Sequence, residues 1–179
     1  MEPDDDFIYA QDNARYARRS IRNSYSNTIA FYEEKLRSKS IKKASIIPNF
    51  ERAIDNDSIQ VYLQPKCSAR NDSIIGAEAL SRFYDEDGEL LSPALYVPIL
   101  EKAGIVSRLD YRVLEKSVEL LCKWQEEGRE LFPISVNLSR VDLIENDFIE
   151  SLDRLVEEAG LDKKYIEFEL TETVLAKDL

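Results

Sequence analysis

The chain has 179 residues, 44% of them hydrophobic and 33% charged, and carries a formal net charge of −11 at pH 7. With no histidine and only two cysteines, Cys67 and Cys122, the sequence excludes Ser-His-Asp and Cys-His catalysis, zinc sites and a disulfide framework. It contains neither an apolar run of about 18 residues nor a basic, apolar start, which argues against a membrane-spanning helix and a secretory signal.

The first 55 residues read as helical. Apolar residues recur at three- and four-residue spacing over residues 8–45, which predicts a helix with a weak point at residues 23–27. Ile46, Ile47 and Pro48 predict a break, followed by a short helix over about 49–55.

From residue 59 onward the pattern alternates between strands and helices. β-branched and aromatic runs predict strands over residues 59–65, 74–83, 134–138 and 165–170. Apolar periodicity closed by glycine predicts helices over residues 93–103, 107–127 and 147–159, and the last nine residues begin another helix. This order predicts an α/β architecture with parallel neighbouring strands.

Charge is unevenly distributed along the chain. Residues 1–50 contain 9 basic and 7 acidic residues, whereas residues 51–179 contain 15 basic and 28 acidic residues. The acidic part repels polyanions, so we expect no nucleic acid polymer as a partner. A phosphate-bearing ligand would need metal ions or a few well-placed arginines. The few cysteines fit a reducing, cytoplasmic setting, although a parent protein could be anchored through segments outside this sequence.

Oxygen-bearing side chains lie in or near the ends of the predicted strands. Glu78, Asn137 and Glu169 occupy comparable places in successive strands, and ligands of α/β sheets bind at the carboxyl ends of strands. Oxygen donors without histidine or cysteine suit a hard cation such as Mg²⁺, Mn²⁺ or Ca²⁺. The alternative is that each is a paired structural residue, and the pattern alone leaves the two interpretations about equal.

Five short motifs resemble the first half of an EAL domain, the family that contains the bacterial cyclic-di-GMP phosphodiesterases. They follow one another in the family's order between residues 60 and 175, and the name-giving tripeptide is in the second of them. The motifs are Gln64-Pro65-Lys66, Gly76-Ala77-Glu78-Ala79-Leu80-Ser81-Arg82-Phe83, Pro98-Ile99-Leu100-Glu101-Lys102-Ala103-Gly104, Ser135-Val136-Asn137-Leu138-Ser139 and Glu169-Leu170-Thr171-Glu172-Thr173.

The resemblance implies a modified (β/α) TIM-type barrel, of which this chain would supply about four strands of eight after an N-terminal helical linker. It also implies hydrolysis of cyclic-di-GMP to linear pGpG by water activated between two metal ions, Mg²⁺ or Mn²⁺. Carried over by position, the family's roles fall on seven residues of this sequence. Glu78, Asn137 and Glu169 match metal ligands, Glu172 matches a catalytic carboxylate that steadies an active-site loop, Arg82 matches a phosphate contact, and Gln64 and Leu80 match positions lining the substrate pocket.

A second, shorter resemblance concerns residues 8–45. Tyr9-Ala10 and the run from Ala14 to Arg19 resemble the final helix of a GGDEF domain, and the alternative is a generic amphipathic connector. We therefore expect a helical segment over residues 1–50 and the first half of an EAL domain over residues 51–179. No cyclase motif is present, so the sequence predicts no cyclase activity.

The sequence departs from the family in length. Residues 51–179 are about half of the roughly 250 that such a barrel takes, and the family's later ligands have no counterpart here. We therefore expect a truncated or half domain that is inactive alone, binds cyclic-di-GMP weakly or not at all, and forms a homo-oligomer through exposed barrel edges or the N-terminal helix. The alternative function is a non-catalytic, degenerate EAL module that acts as a cyclic-di-GMP receptor or interaction domain.

Overall fold

The computed structural model describes residues 3–21, 29–139 and 146–170, and the chain divides into two compact units, Met1–Ile46 and Ile47–Leu179. Two helices, α1 (Pro3–Ser20) and α2 (Glu34–Asp55), cover most of the helical stretch predicted over residues 8–45, and residues 29–33 before α2 are not helical. The weak point predicted at residues 23–27, where one helix could end and another begin, lies outside the described residues. The predicted break at Pro48 is wrong, since α2 runs through it. Phe50 and Ala53, which follow the proline, are buried, and this burial offsets the roughly 3 kcal/mol that an interior proline costs a helix.

Four strands form one sheet in the order β1 (Gln60–Cys67), β2 (Ile74–Arg82), β3 (Ile134–Leu138) and β4 (Ile166–Leu170). Strands β2, β3 and β4 are parallel neighbours, which confirms the predicted partial α/β barrel. The expectation of parallel neighbours is wrong for β1, which pairs with β2 in antiparallel fashion. Only residues 68–73 join these two strands, and a parallel crossover needs about a dozen residues or more.

Among the described residues, three α-helices follow β2: α3 (Pro93–Ala103), α4 (Val106–Glu126) and α5 (Asn146–Glu158). Helix α3 ends at Gly104, whose φ of 70° closes the last turn in the left-handed region that glycine adopts without strain. The buried side chains of α4 recur at helical spacing, so this helix lays one apolar stripe on the sheet; they are Val106, Leu109, Val113, Leu114, Ser117, Val118 and Leu121. The helix predicted for the last nine residues lies outside the described residues.

The sheet has two faces of opposite chemistry. Ala77, Ala79, Ile134, Val136 and Leu138 are buried, and together they form what we call the covered face. Beside it, the Phe83 ring lies 4.5 Å from the Tyr96 ring and 6.1 Å from the Phe50 ring between centroids. At the last strand this cover stops, since Phe168 and Leu170 of β4 are 41% and 44% exposed. Within the described ranges, no helix has the length and apolar character needed to cross a membrane.

Candidate functional site

The opposite side of the sheet, here called the polar face, carries the residues that alternate with the covered ones. Gln64 of β1 pairs with Glu78 of β2, and Glu78 pairs in turn with Ser135 of β3. Asn137 of β3 pairs with Glu169 of β4. Because paired residues of neighbouring strands project from the same side of a sheet, the three predicted metal ligands share the polar face.

Two of these ligands touch directly. Asn137 Nδ2 donates a hydrogen bond of 2.7 Å to Glu78 Oε1, and Glu169 stands beside Asn137 on the next strand. Two carboxylates and one amide oxygen on one face are donors that suit a hard divalent cation. The structure contains no cluster of three His, Cys, Asp or Glu side chains with metal-binding geometry in the ranges that it describes, so the donors fit a cation only as part of a larger set.

Lys66 brings a positive charge to this face. Its Nζ lies 2.5 Å from Oε1 of Glu169 and 3.5 Å from Oε2 of Glu167, although β1 and β4 are separated by two strands. The hydrogen bond from Lys66 is the main reason why the pKa of Glu169 lies below its ordinary value, with a further contribution from Ser135. The same bond raises the pKa of Lys66, so the pair is ionised at neutral pH.

The proposed substrate contacts lie toward the carboxyl end of β2. Arg82 Nη1 donates a hydrogen bond of 2.7 Å to the Ser81 carbonyl, and the guanidinium carbon lies 5.5 Å from the centroid of the Tyr62 ring. Leu80, Arg82 and Asn137 line a cavity of about 170 Å³ between the strand ends and helices α3 and α4. Gln64 does not line it, because antiparallel pairing places this residue opposite Glu78 instead.

One predicted residue cannot be placed, and some placed residues were not predicted. Glu172 lies outside the described residues. Ser135 and Glu167 were missed, although each precedes a predicted ligand by two positions and therefore had to share its face. Lys66 was noticed as the end of a strand, but its carboxylate partners lie more than a hundred residues away in sequence.

Comparison with known proteins gives consistent results. The EAL domain family matches residues 48–179. The bifunctional diguanylate cyclase/cyclic di-GMP phosphodiesterase MucR of Pseudomonas aeruginosa is 24% identical over 166 residues, which cover 93% of this chain and 24% of that protein.

Two solved structures resemble the fold. The PaMucR phosphodiesterase in complex with c-di-GMP matches with a TM-score of 0.68 and 25% identity, over 75% of this chain and 54% of that one. The FimX EAL domain from Pseudomonas aeruginosa bound to c-di-GMP matches with a TM-score of 0.63 and 25% identity, over 72% and 51%. The chain thus spans about a quarter of the curated relative and about half of each solved domain.

Proposed function

The chain belongs to the EAL domain family, and from that premise we propose that it supplies the first strands of a metal-dependent cyclic-di-GMP phosphodiesterase. The reaction is hydrolysis of one phosphodiester bond to give linear pGpG. The observation that carries the proposal is the contact between Glu78 and Asn137, with Glu169 beside them on the same face. This places three oxygen donors where adjacent parallel strands can hold a common ligand.

In this proposal Glu78, Asn137 and Glu169 hold the divalent cation, Mg²⁺ or Mn²⁺. Such a cation lowers the pKa of a bound water to near neutrality and offsets the charge of the phosphate. Arg82 binds a substrate phosphate from the end of β2, where its guanidinium lies beside Tyr62. Leu80 lines the substrate pocket beside Arg82, Gln64 reaches the substrate from its place opposite Glu78 rather than from that cavity, and Glu172 steadies an active-site loop.

The proposal concerns the whole protein rather than these residues alone. Because the chain spans 54% of the solved PaMucR chain, part of the ligand set that the family uses has no counterpart here. We expect this chain by itself to release no detectable pGpG with Mn²⁺ and to bind cyclic-di-GMP weakly or not at all.

A chimera tests the proposed activity. Residues 48–170 would be joined to the remaining strands of the MucR EAL domain, and release of pGpG from cyclic-di-GMP would be followed by chromatography with Mn²⁺. We expect hydrolysis, and we expect Glu78→Gln to lower the rate by about a hundredfold or more because a metal ligand is lost. Glu130→Gln is the matched control, since Glu130 is exposed and lies in the loop between α4 and β3. A folded chimera that binds the dinucleotide but does not cleave it contradicts the proposal.

That last outcome would support the second candidate, a non-catalytic EAL module that binds cyclic-di-GMP. The observation in its favour is that Glu169, a proposed metal ligand, is engaged by the Lys66 ammonium at 2.5 Å. Equilibrium dialysis of labelled cyclic-di-GMP with the chimera, with and without Mn²⁺, separates the two. A receptor binds without Mn²⁺, whereas the enzyme loses activity when the metal is removed.

We also propose that residues 1–50 are the end of a GGDEF domain with its linker, and that the chain self-associates. Support for association comes from β4, whose side chains Phe168 and Leu170 are exposed, and which pairs with β3 alone among the described strands. Unpaired strand edges and exposed apolar surface favour a second copy as partner. Sedimentation velocity at micromolar concentration should show a dimer or larger species, and a monomer alone contradicts this part.

A further inference from the structure

Among the described residues of the polar face, Lys66 is a cation to which the phosphodiesterase proposal gives no role. We propose that Lys66 is a built-in counter-cation: its ammonium occupies the Glu169 carboxylate when no divalent cation is present and must leave it before that oxygen can ligate one. Lys66 then sets how tightly the face binds a divalent cation. The inference rests on the proposed function, because it takes Glu169 to be a metal ligand.

The path of the Lys66 side chain shows that the contact is built into the sheet. Lys66 pairs with Gly76, and a side chain begun at Gly76 would meet Lys66 Cδ at 3.7 Å. The lysine stem therefore lies over Gly76 and runs across β2 toward the far strands. The ammonium ends 2.5 Å from Glu169 Oε1, two strands beyond its own neighbour.

Charge explains why the ammonium stays there. The described part of the polar face holds three carboxylates, those of Glu78, Glu167 and Glu169, and two of them lie within ion-pair distance of Lys66 Nζ. Glu78 instead accepts a hydrogen bond from the Asn137 amide. Glu169 is thus the carboxylate that Lys66 neutralises most closely.

Exposure explains why the ammonium can leave. The side chains of Lys66 and Glu169 are 37% and 41% exposed, so water can solvate both when they part. Ion pairs of this kind are weak, and a divalent cation attracts a carboxylate more strongly than a monovalent ammonium does. A purely structural link between β1 and β4 would use the same contact without affecting cation affinity, and this difference can be measured.

The test uses the full chain and Mn²⁺ alone as the probe. Free Mn²⁺ is quantified by electron paramagnetic resonance during titration of the wild type, Lys66→Met and Lys66→Arg. Lys163→Met is the matched control, because Lys163 also contacts two carboxylates, those of Asp153 and Glu157, away from the polar face. We expect Lys66→Met to bind Mn²⁺ about five- to tenfold more tightly, the effect of removing one competing ion pair and its charge. Lys66→Arg and Lys163→Met should stay within about twofold of the wild type.

A second measurement follows Lys66 itself. Acetylation by an N-hydroxysuccinimide ester, quantified by mass spectrometry, reports whether the ammonium is held by Glu169. In the wild type, Mn²⁺ should increase acetylation of Lys66 and leave that of Lys163 unchanged.

The outcomes separate the two proposals. Tighter Mn²⁺ binding by Lys66→Met together with release of Lys66 by Mn²⁺ supports the inference. Unchanged or weaker binding by Lys66→Met, or Mn²⁺ binding that leaves Lys66 protected, overturns the inference and leaves the proposed function standing. If neither the wild type nor Lys66→Met binds Mn²⁺, the inference is overturned, and the chimera still decides the proposed function separately.

Discussion

Strand β3 shows most directly how the two faces of the sheet differ. Ile134, Val136 and Leu138 are buried on the covered face, while Ser135 and Asn137, between them, belong to the polar face with its carboxylates and Lys66. Within these five residues, one set of alternate side chains therefore packs in the core, and the other set lies on the face that we propose binds the ligand. Substitutions in the first set should change stability, and substitutions in the second should change ligand binding.

The energies expected of the two faces differ by several-fold. Burying one large aliphatic side chain stabilises a fold by about 1.5–3 kcal/mol, whereas an exposed ion pair contributes about 0.2–1 kcal/mol. The Lys66–Glu169 pair, with both partners more than a third exposed, belongs to the second class. Ion pairs of the polar face, such as Lys66–Glu169, can therefore break and be replaced by other contacts while the sheet stays folded.

The largest effect should come from the covered face. Ile134 is fully buried, so Ile134→Ala should lower the free energy of unfolding by about 2–5 kcal/mol through lost burial and the cavity left behind. Its neighbour Ser135 is the control, because its hydroxyl donates a long hydrogen bond of 3.4 Å to the Ala77 carbonyl and otherwise interacts with the half-exposed Glu169. Ser135→Ala should cost less than about 1 kcal/mol. Urea unfolding followed by circular dichroism measures both changes. Equal losses in the free energy of unfolding would show that the covered face does not contribute more to stability than the polar face.

Gly76 is where the polar face has a steric requirement of its own. A Cβ at this position would lie 3.1 Å from the Pro133 carbonyl oxygen and 3.7 Å from Lys66 Cδ. Gly76→Val should therefore cost about 1–3 kcal/mol of stability and displace the lysine stem. The exposed neighbour Ile75 is the control, since Ile75→Ala should change stability by no more than about 0.5 kcal/mol. Urea unfolding measures the first effect and acetylation of Lys66 the second; a valine tolerated without loss would show that Gly76 does not keep this path open.

Local sequence patterns were sufficient to predict much of this architecture. Residue types predicted four strands with Glu78, Asn137 and Glu169 at comparable places in them, and the EAL motifs indicated a partial barrel, which is confirmed. The direction of β1 was missed, although the six residues between Cys67 and Ile74 are too few for a parallel crossover. The direction of β1 thus follows from the length of the connecting loop rather than from residue types. The short loop indicates an antiparallel pair even though the fold class favours parallel neighbours.

Other features depend on contacts that no local pattern contains. Lys66 and Glu169 are separated by 103 positions, so their pairing follows only from strand order and from the gap at Gly76. The passage of α2 through Pro48 depends on tertiary burial of Phe50, which outweighs the intrinsic preference of proline. The roles of Glu78, Asn137 and Glu169 as metal ligands stay predictions until a cation is titrated.

A smaller effect should come from the polar link between a helix and β2. The hydroxyl of buried Tyr96 donates to the Ser81 carbonyl at 2.7 Å and lies 2.8 Å from Ser81 Oγ. Tyr96→Phe should lower the free energy of unfolding by about 0.5–1.5 kcal/mol because the carbonyl loses its partner. Because Ser81 continues the covered-face positions Ala77 and Ala79 along β2, Mn²⁺ affinity should remain unchanged. A change in Mn²⁺ affinity with no loss of stability would place Tyr96 with the polar face instead.

The smallest effect should be a change in acid stability where Asp57, in the turn after α2, meets the middle of α4. Asp57 contacts Lys116 at 2.7 Å and also Arg112, and these hydrogen bonds hold the pKa of Asp57 below its ordinary value of 3.8. A carboxyl whose pKa is lower in the folded state stabilises the protein above its unfolded pKa and loses that contribution as pH falls through the folded pKa.

Asp57→Asn tests this contribution, since asparagine tolerates the φ of 55° at this position. The difference in stability between wild type and variant should be constant above about pH 5 and shrink below about pH 4, as the wild-type carboxyl takes up its proton. Urea unfolding between pH 3 and pH 7 measures the difference at each pH. A gap that widens toward low pH would contradict the assignment, because it would mean that Asp57 stabilises the fold in its protonated form.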